Sequence, residues 1–175
     1  MPRVKPVDRA LRFALAALLL VFVAVVALAV YERPLHVVKA GEQAPVFSIR
    51  AEDGRVVSTP NFGGKLLILN FWASWCPPCV QETPSLSQLA ADYAGRGVVV
   101  LGISVDASDA AYRAFLGKYK PRFLTARDAR IHRDYGTFAY PETYFIDTTG
   151  KVLHKLEEPE DWSRPNVRAY LDSLL

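Results

Sequence analysis

Cys76 and Cys79 are the only cysteines in this chain of 175 residues. They stand as Cys76-Pro77-Pro78-Cys79 directly after the apolar run Leu66-Leu67-Ile68-Leu69-Asn70-Phe71-Trp72. Two thiols at this spacing can bridge, but so short a loop takes little freedom from the unfolded chain, which makes a structural staple the weaker reading. A zinc half-site needs further Cys or His at ligand spacing, and His36, His132 and His154 are scattered. Thiol–disulfide exchange suits the pair better, because the attacking species is a thiolate and position controls how readily it forms. Cys76 falls where the N-cap of a following helix belongs. There its sulfur can accept an amide hydrogen and feel the positive end of the helix dipole. Pro77 and Pro78 fit the first turn, where amides are unpaired anyway, and they leave the amide of Cys79 as the main donor. Cys79 sits one turn inside, shielded, as a resolving thiol should be.

The elements that hold this pair follow from the pattern around it. Leu66–Trp72 is too short for a helix and rich in branched and aromatic residues, as expected of a central parallel strand covered on both faces. Val98–Val105 is a second such run, and the helix between them, with Leu86 and Leu89 on one face and a bend expected at Pro84, makes a right-handed crossover unit. The cysteines therefore lie at a strand's carboxyl end, where open α/β sheets place their chemistry.

Trp75-Cys76-Pro77-Pro78-Cys79 after such a strand resembles the thioredoxin superfamily, over about residues 41–175. With Glu82-Thr83-Pro84 and Tyr140-Pro141-Glu142-Thr143, the chain is most similar to the membrane-anchored DsbE/CcmG reductases of cytochrome c maturation, close to the TlpA and ResA types. The resemblance implies a thioredoxin-like α/β fold, with a central mixed sheet flanked by helices and an N-terminal β-hairpin extension. It also implies a thiol:disulfide oxidoreductase without a cofactor or resident metal. The substrates it implies are disulfides of exported proteins, apocytochrome c first among them, with a membrane thiol-electron donor of DsbD/CcdA type. A broader TlpA/ResA-type reductase is the alternative within the class, and a copper metallochaperone the alternative outside it.

The resemblance also assigns side chains. Asn70 stands where thioredoxins carry a buried Asp that assists proton transfer, and an amide cannot take that proton. Glu82, three residues after Cys79, is expected to do so, against the reading of an ordinary surface residue. Trp72 is expected in the core and Trp75 on a docking surface. Pro141 is expected to be cis and to face the cysteines, leaving the backbone of Tyr140 free to pair with an extended substrate, and Glu142 is expected to present a negative charge to a basic or histidine-containing peptide.

The remaining chain supplies the frame. Residues 47–50 and 55–58 read as a hairpin around Glu52-Asp53-Gly54. Ser108 reads as the cap of a helix through about Tyr119, and a short segment around Phe123 follows. Asp128–Tyr135 reads as a helical turn closed by Gly136, with His132 on its solvated side. Residues 144–147 and 152–156 read as an edge hairpin bearing a packed or edge His154, and Ser163 with Pro165 as the start of a last helix.

At the N-terminus Phe13–Val30 is an uncharged apolar run of 18 residues preceded by Arg3, Lys5, Arg9 and Arg12. That is near the lower limit for a spanning helix, and the upstream charges predict a cytoplasmic N-terminus. Residues 1–12 are thus expected as a cytoplasmic tail, 13–31 as a transmembrane anchor, 32–40 as a linker and 41–175 as the catalytic domain. The resulting placement is a single-pass protein of the bacterial inner membrane with its domain on the periplasmic, extracytoplasmic side. Ala27-Leu28-Ala29 offers the competing reading of a cleaved signal peptide. The net charge of +3 belongs to the tail, since 17 basic and 17 acidic residues remain after Tyr31, and so neutral a domain does not suggest nucleic-acid binding.

Overall fold

A computed structural model describes residues 6–31 and 36–175. Residues 1–5 of the expected tail and 32–35 of the expected linker lie outside the described residues. Pro6–Tyr31 forms one helix, α1, and its stretch Leu11–Leu28 is long and apolar enough to cross a membrane, with every side chain exposed. The chain divides into two units at Leu35, and the second, from His36, holds all the remaining elements. This unit begins ahead of Gly41: Val38 is buried, and its N–H donates to the Tyr135 carbonyl at 3.0 Å.

Strands β1 (Ser48–Arg50) and β2 (Val56–Ser58) form the expected antiparallel hairpin, a sheet of its own. The main sheet comprises β3 (Leu66–Trp72), β4 (Val98–Ser104), β5 (Leu124–Arg127), β6 (Glu142–Asp147) and β7 (Val152–Leu156), in the order β5-β4-β3-β6-β7. Strand β3 is buried along its whole length, as its unbroken apolar pattern requires. It pairs parallel with β4 and antiparallel with β6, and β5, the segment after Phe123, extends the sheet parallel to β4. Two apolar layers cover the sheet. One gathers Leu67, Leu69, Phe71, Leu101, Ile103 and Tyr144 beneath the hairpin, and the other packs Leu66, Ile68, Val100 and Phe145 against α2 (Pro77–Tyr93) and α5 (Pro165–Ser173).

Helix α2 runs through Pro84 to Tyr93 with Leu86 and Leu89 buried, and α3 (Asp109–Tyr119) starts on Ser108, whose hydroxyl accepts from the Ala111 N–H at 3.3 Å. Two local expectations fail. Ser163 does not cap α5, because Asp161 engages both its amide and its hydroxyl, so Arg164 takes the N-cap position without a side-chain bond. His132, on the short helix α4 (Ile131–Asp134), is buried against the segment 137–140 rather than solvated. Gly136 makes that burial possible: its φ of +67° turns the chain back sharply, and a side chain there would collide with the His36 carbonyl.

Candidate functional site

The sheet brings both halves of the site to one end. Strand β3 runs toward it and ends at Trp72, while antiparallel β6 leaves it from Glu142, which pairs with Phe71. The loops Ala73–Cys76 and Thr137–Pro141 therefore meet. Cys76 is the N-cap of α2 with extended backbone, and its Sγ accepts the Cys79 N–H at 3.3 Å, the donor left by two prolines at the helix start. The two cysteines are disulfide-bonded and buried, Cys79 the more so. The Tyr140–Pro141 peptide is cis, as is Thr59–Pro60, which the sequence did not signal. The Tyr140 carbonyl lies 3.4 Å from Cys76 Sγ. Trp72 is in the core, whereas Trp75 is 65% exposed and stands edge-on to Tyr140 with centroids 5.9 Å apart.

Behind the cysteines, Glu82 is buried. Its Oε1 accepts from Asn70 Nδ2 at 2.9 Å and its Oε2 from the Glu160 N–H at 3.2 Å. The Asn70 amide also donates to Thr143 Oγ1 at 2.9 Å, tying β3, β6 and α2 together. Burial pushes the Glu82 carboxyl up to about 7, although these hydrogen bonds pull the other way. Glu82 is thus no surface residue, and it can exchange a proton near neutrality.

Glu142 departs from its expected role. It is buried, and its Oε1 accepts from Thr137 Oγ1 at 3.0 Å and from the Tyr144 hydroxyl while pairing with Lys155 Nζ at 2.8 Å. The charge is consumed inside the sheet and is not presented to a docking peptide. Burial lowers the Lys155 ammonium, but its bonds to Glu142 and Glu157 outweigh that and hold it above the ordinary lysine value. Burial, with Glu142 beside it, drives the Tyr144 phenol far upward.

Asp106, which follows β4, escaped the sequence reading. Its buried carboxylate accepts from Ser74 N–H (3.0 Å), Ser74 Oγ (2.8 Å) and Ser104 Oγ (2.6 Å), fixing the loop that leads into Cys76. An acidic residue at the end of an apolar strand beside the active turn was the available signal.

Comparison with known proteins settles the family. The Redoxin family model matches residues 39–171. The chain belongs to the Redoxin family. Among curated relatives, this Redoxin protein is 30% identical over 136 residues to "Thiol-disulfide oxidoreductase ResA" of Bacillus thuringiensis subsp. konkukian, covering 77% of this chain and 78% of that one. It is 37% identical over 118 residues to "Thioredoxin-like protein YneN" of Bacillus subtilis, covering 66% and 69%. Among solved structures, a Chlorobium tepidum protein described as a thiol:disulfide interchange protein DsbE superposes with a TM-score of 0.66 at 32% identity, over 79% of this chain and 96% of that one. The thioredoxin-like fold and the ResA/DsbE type therefore hold for this Redoxin protein. The protein is a thiol-disulfide oxidoreductase, and the Cys76–Cys79 pair fits that chemistry.

Proposed function

We propose that this Redoxin protein works as a membrane-anchored reductase of disulfides in exported proteins, with apocytochrome c among its substrates. The observation that carries the reading is the Cys76 sulfur, held at a helix N-cap by the Cys79 amide and faced by the Tyr140 carbonyl. In the dithiol form, the Cys76 thiolate attacks one sulfur of a substrate disulfide. That S–S bond breaks, the departing sulfur takes a proton, and a mixed disulfide remains. Cys79 then passes its proton to Glu82 and attacks Cys76 Sγ, which expels the second substrate sulfur as a thiolate that takes up a proton from water and leaves the Cys76–Cys79 bridge with two electrons transferred. A thiol donor in the membrane, of DsbD/CcdA type, restores the dithiol. Trp75 and the backbone at Tyr140–Pro141 hold the substrate as an added strand. Helix α1 anchors the chain with its N-terminus in the cytoplasm and the domain in the periplasm, which the tail's basic residues support.

A broader reductase has one specific observation in its favour. The charge of Glu142, which would have selected a histidine-containing motif, is buried against Lys155. The test uses the full chain in detergent micelles with Cys79→Ser, and trapped adducts are read by mass spectrometry. A mixed disulfide on Cys76 is expected, and adducts on Cys79 in a Cys76→Ser chain would reverse the roles. Faster reduction of a Cys-x-x-Cys-His disulfide peptide than of a generic one supports the cytochrome substrate; equal rates favour the broader enzyme. Recovery of the protein in the membrane pellet after alkaline extraction supports the anchor, whereas a soluble form starting near Val30 would remove it.

A further inference from the structure

Trp162 is fully buried, and its Nε1–H is one of three buried side-chain polar atoms without a hydrogen-bond partner among the described residues. A donor stripped of water and left unbonded weakens the fold, which makes its surroundings informative. The Trp162 backbone N–H donates to Ser85 Oγ at 3.4 Å, and the Ser85 hydroxyl donates to the Glu82 carbonyl at 3.0 Å. Two residues earlier on the same segment, the Glu160 N–H donates to Glu82 Oε2 at 3.2 Å. The segment is thus laced to α2 at Glu82 and Ser85, one helical turn apart, and its indole packs inward on Phe145 with centroids 6.1 Å apart. There the indole N–H stands beside the Glu82 carboxyl and draws its proton affinity down.

The carboxyl has room for this donor when it is ionised. A carboxylate offers about four acceptor positions, and Asn70 and Glu160 fill one on each oxygen. Protonation turns one oxygen into a hydroxyl and removes the charge that attracts an N–H. The charged groups nearby do not compete for the role. The Glu160 carboxylate, on the indole's own segment, opposes ionisation of Glu82 and is itself paired with Arg164 at 3.5 Å. Asp161 is engaged by Ser163. From α2 the titratable neighbour is Cys79, one turn before Glu82. Glu142 pairs with Phe71 and Thr143 with Asn70, so Glu142 and its Lys155 stand on the opposite face of the sheet. His154, from β7, packs on Phe145 and Tyr170.

We infer that Trp162 is a positioning residue for the resolving step: its indole N–H bonds the Glu82 carboxylate while that group is ionised and lets go when Glu82 takes the Cys79 proton. This rests on the reductase reading above and deepens it. The proton moves from Cys79 Sγ to a Glu82 oxygen, and the indole keeps its own hydrogen throughout. Hydrogen bonding to the charged form favours that form, so the donor keeps Glu82 available as a base near neutrality. Without it, burial holds more of Glu82 protonated, and a protonated carboxyl cannot accept from Cys79.

The first measurement takes the bridged full chain in micelles with its tryptophans labelled at the indole nitrogen. Its three tryptophans give three indole N–H resonances, and Trp72→Phe and Trp75→Phe identify that of Trp162 by elimination. This resonance is expected to move downfield in one step centred at about pH 7, as Glu82 ionises, and the step is expected to vanish in Glu82→Gln. A resonance that stays still, or moves equally in Glu82→Gln, overturns the contact. The second measurement follows release of a chromophoric thiol from the mixed disulfide on Cys76. Trp162→Phe keeps an aromatic ring against Phe145 and removes the donor. Its pH inflection should rise by about one unit, slowing resolution several-fold at neutral pH, while the alkaline plateau and Cys76 alkylation stay near wild type. An unmoved inflection in a folded Trp162→Phe chain overturns the positioning role. Wild-type resolution without an inflection at about pH 7, with the indole step still present, overturns the Cys79-to-Glu82 transfer of the reductase reading and leaves the Trp162 contact standing.

Discussion

Glu82 and Glu142 are buried to nearly the same degree, 5% and 6% exposed, at the same end of the same sheet, yet they serve opposite ends. Glu142 has a cation: Lys155 reaches it at 2.8 Å from β7, with two hydroxyls completing its shell. Among the described residues Glu82 has no cation in reach, and its hydrogen bonds come from neutral N–H donors of Asn70 and Glu160. A cation in contact, together with two hydroxyls on the same carboxylate, makes it part of the scaffold. Neutral donors offset only part of the cost of burial, so the carboxyl of Glu82 stays able to take up and release a proton near pH 7. What sorts structure from chemistry here is the partner, since depth is shared.

The contrast breaks most visibly at Lys155. Lys155→Met leaves the Glu142 charge buried without its cation and should cost roughly 3–5 kcal/mol in urea unfolding, whereas Glu142→Gln combined with Lys155→Met should recover most of that loss. If the single and double variants unfold alike, the pair is not a coupled unit.

At Glu82 the effect is next in size and depends on pH. Its folded pKa of about 7 lies above the reference value of 4.5, so below 4.5 the group is protonated in both states and carries no penalty. Between those values the unfolded chain gives up the proton and the folded chain keeps it, so stability falls as pH rises. Above about 7 the loss is complete, on the order of 3 kcal/mol. The bridged wild-type protein should therefore lose stability relative to Glu82→Gln between pH 4.5 and 7, as unfolding at several pH values would show. A constant difference would mean that Glu82 does not titrate there. The proposed proton transfer adds a kinetic companion: resolution of the mixed disulfide should speed up through about pH 7 in the wild type and lose that inflection in Glu82→Gln, with Cys76 alkylation nearly unchanged.

Among the described residues Asp106 is a third buried carboxylate, and its donors are neutral too, yet three of them against the two at Glu82 tie it into the scaffold. Asp106→Ala should cost about 1–3 kcal/mol by stranding the Ser74 and Ser104 donors. It should also loosen the loop into Cys76, seen as faster amide exchange at Ser74. The smallest effect is expected at Trp75, where exposure limits Trp75→Ala to within about 0.5 kcal/mol of stability while KM for peptide disulfides rises.

What the sequence disclosed was set by neighbours along the chain. The buried strand β3, the N-cap at Cys76, the lone amide left by Pro77 and Pro78, and the Ser108 cap all depend on residues within a few positions, and each was legible. What it concealed depends on register between distant segments. The ammonium that claims Glu142 comes from a strand joined to β6 across a register shift at Phe145 and Ile146, which no spacing announces. Asp106 meets Ser74 only because parallel pairing sets Ser104 beside Trp72. His132 is buried by a loop that returns over it, and Asp161 outcompeted the N-cap expected of Ser163.

The site is also divided in time. The amide that readies Cys76 comes from three residues away, while the carbonyl that faces it comes from 64 residues further along the chain. The first forms with a single helical turn; the second waits until a long loop closes and β6 finds β3, a slow and entropically costly event. A chain caught before that closure has its nucleophile but nothing to choose a partner with, so its reactivity precedes its selectivity.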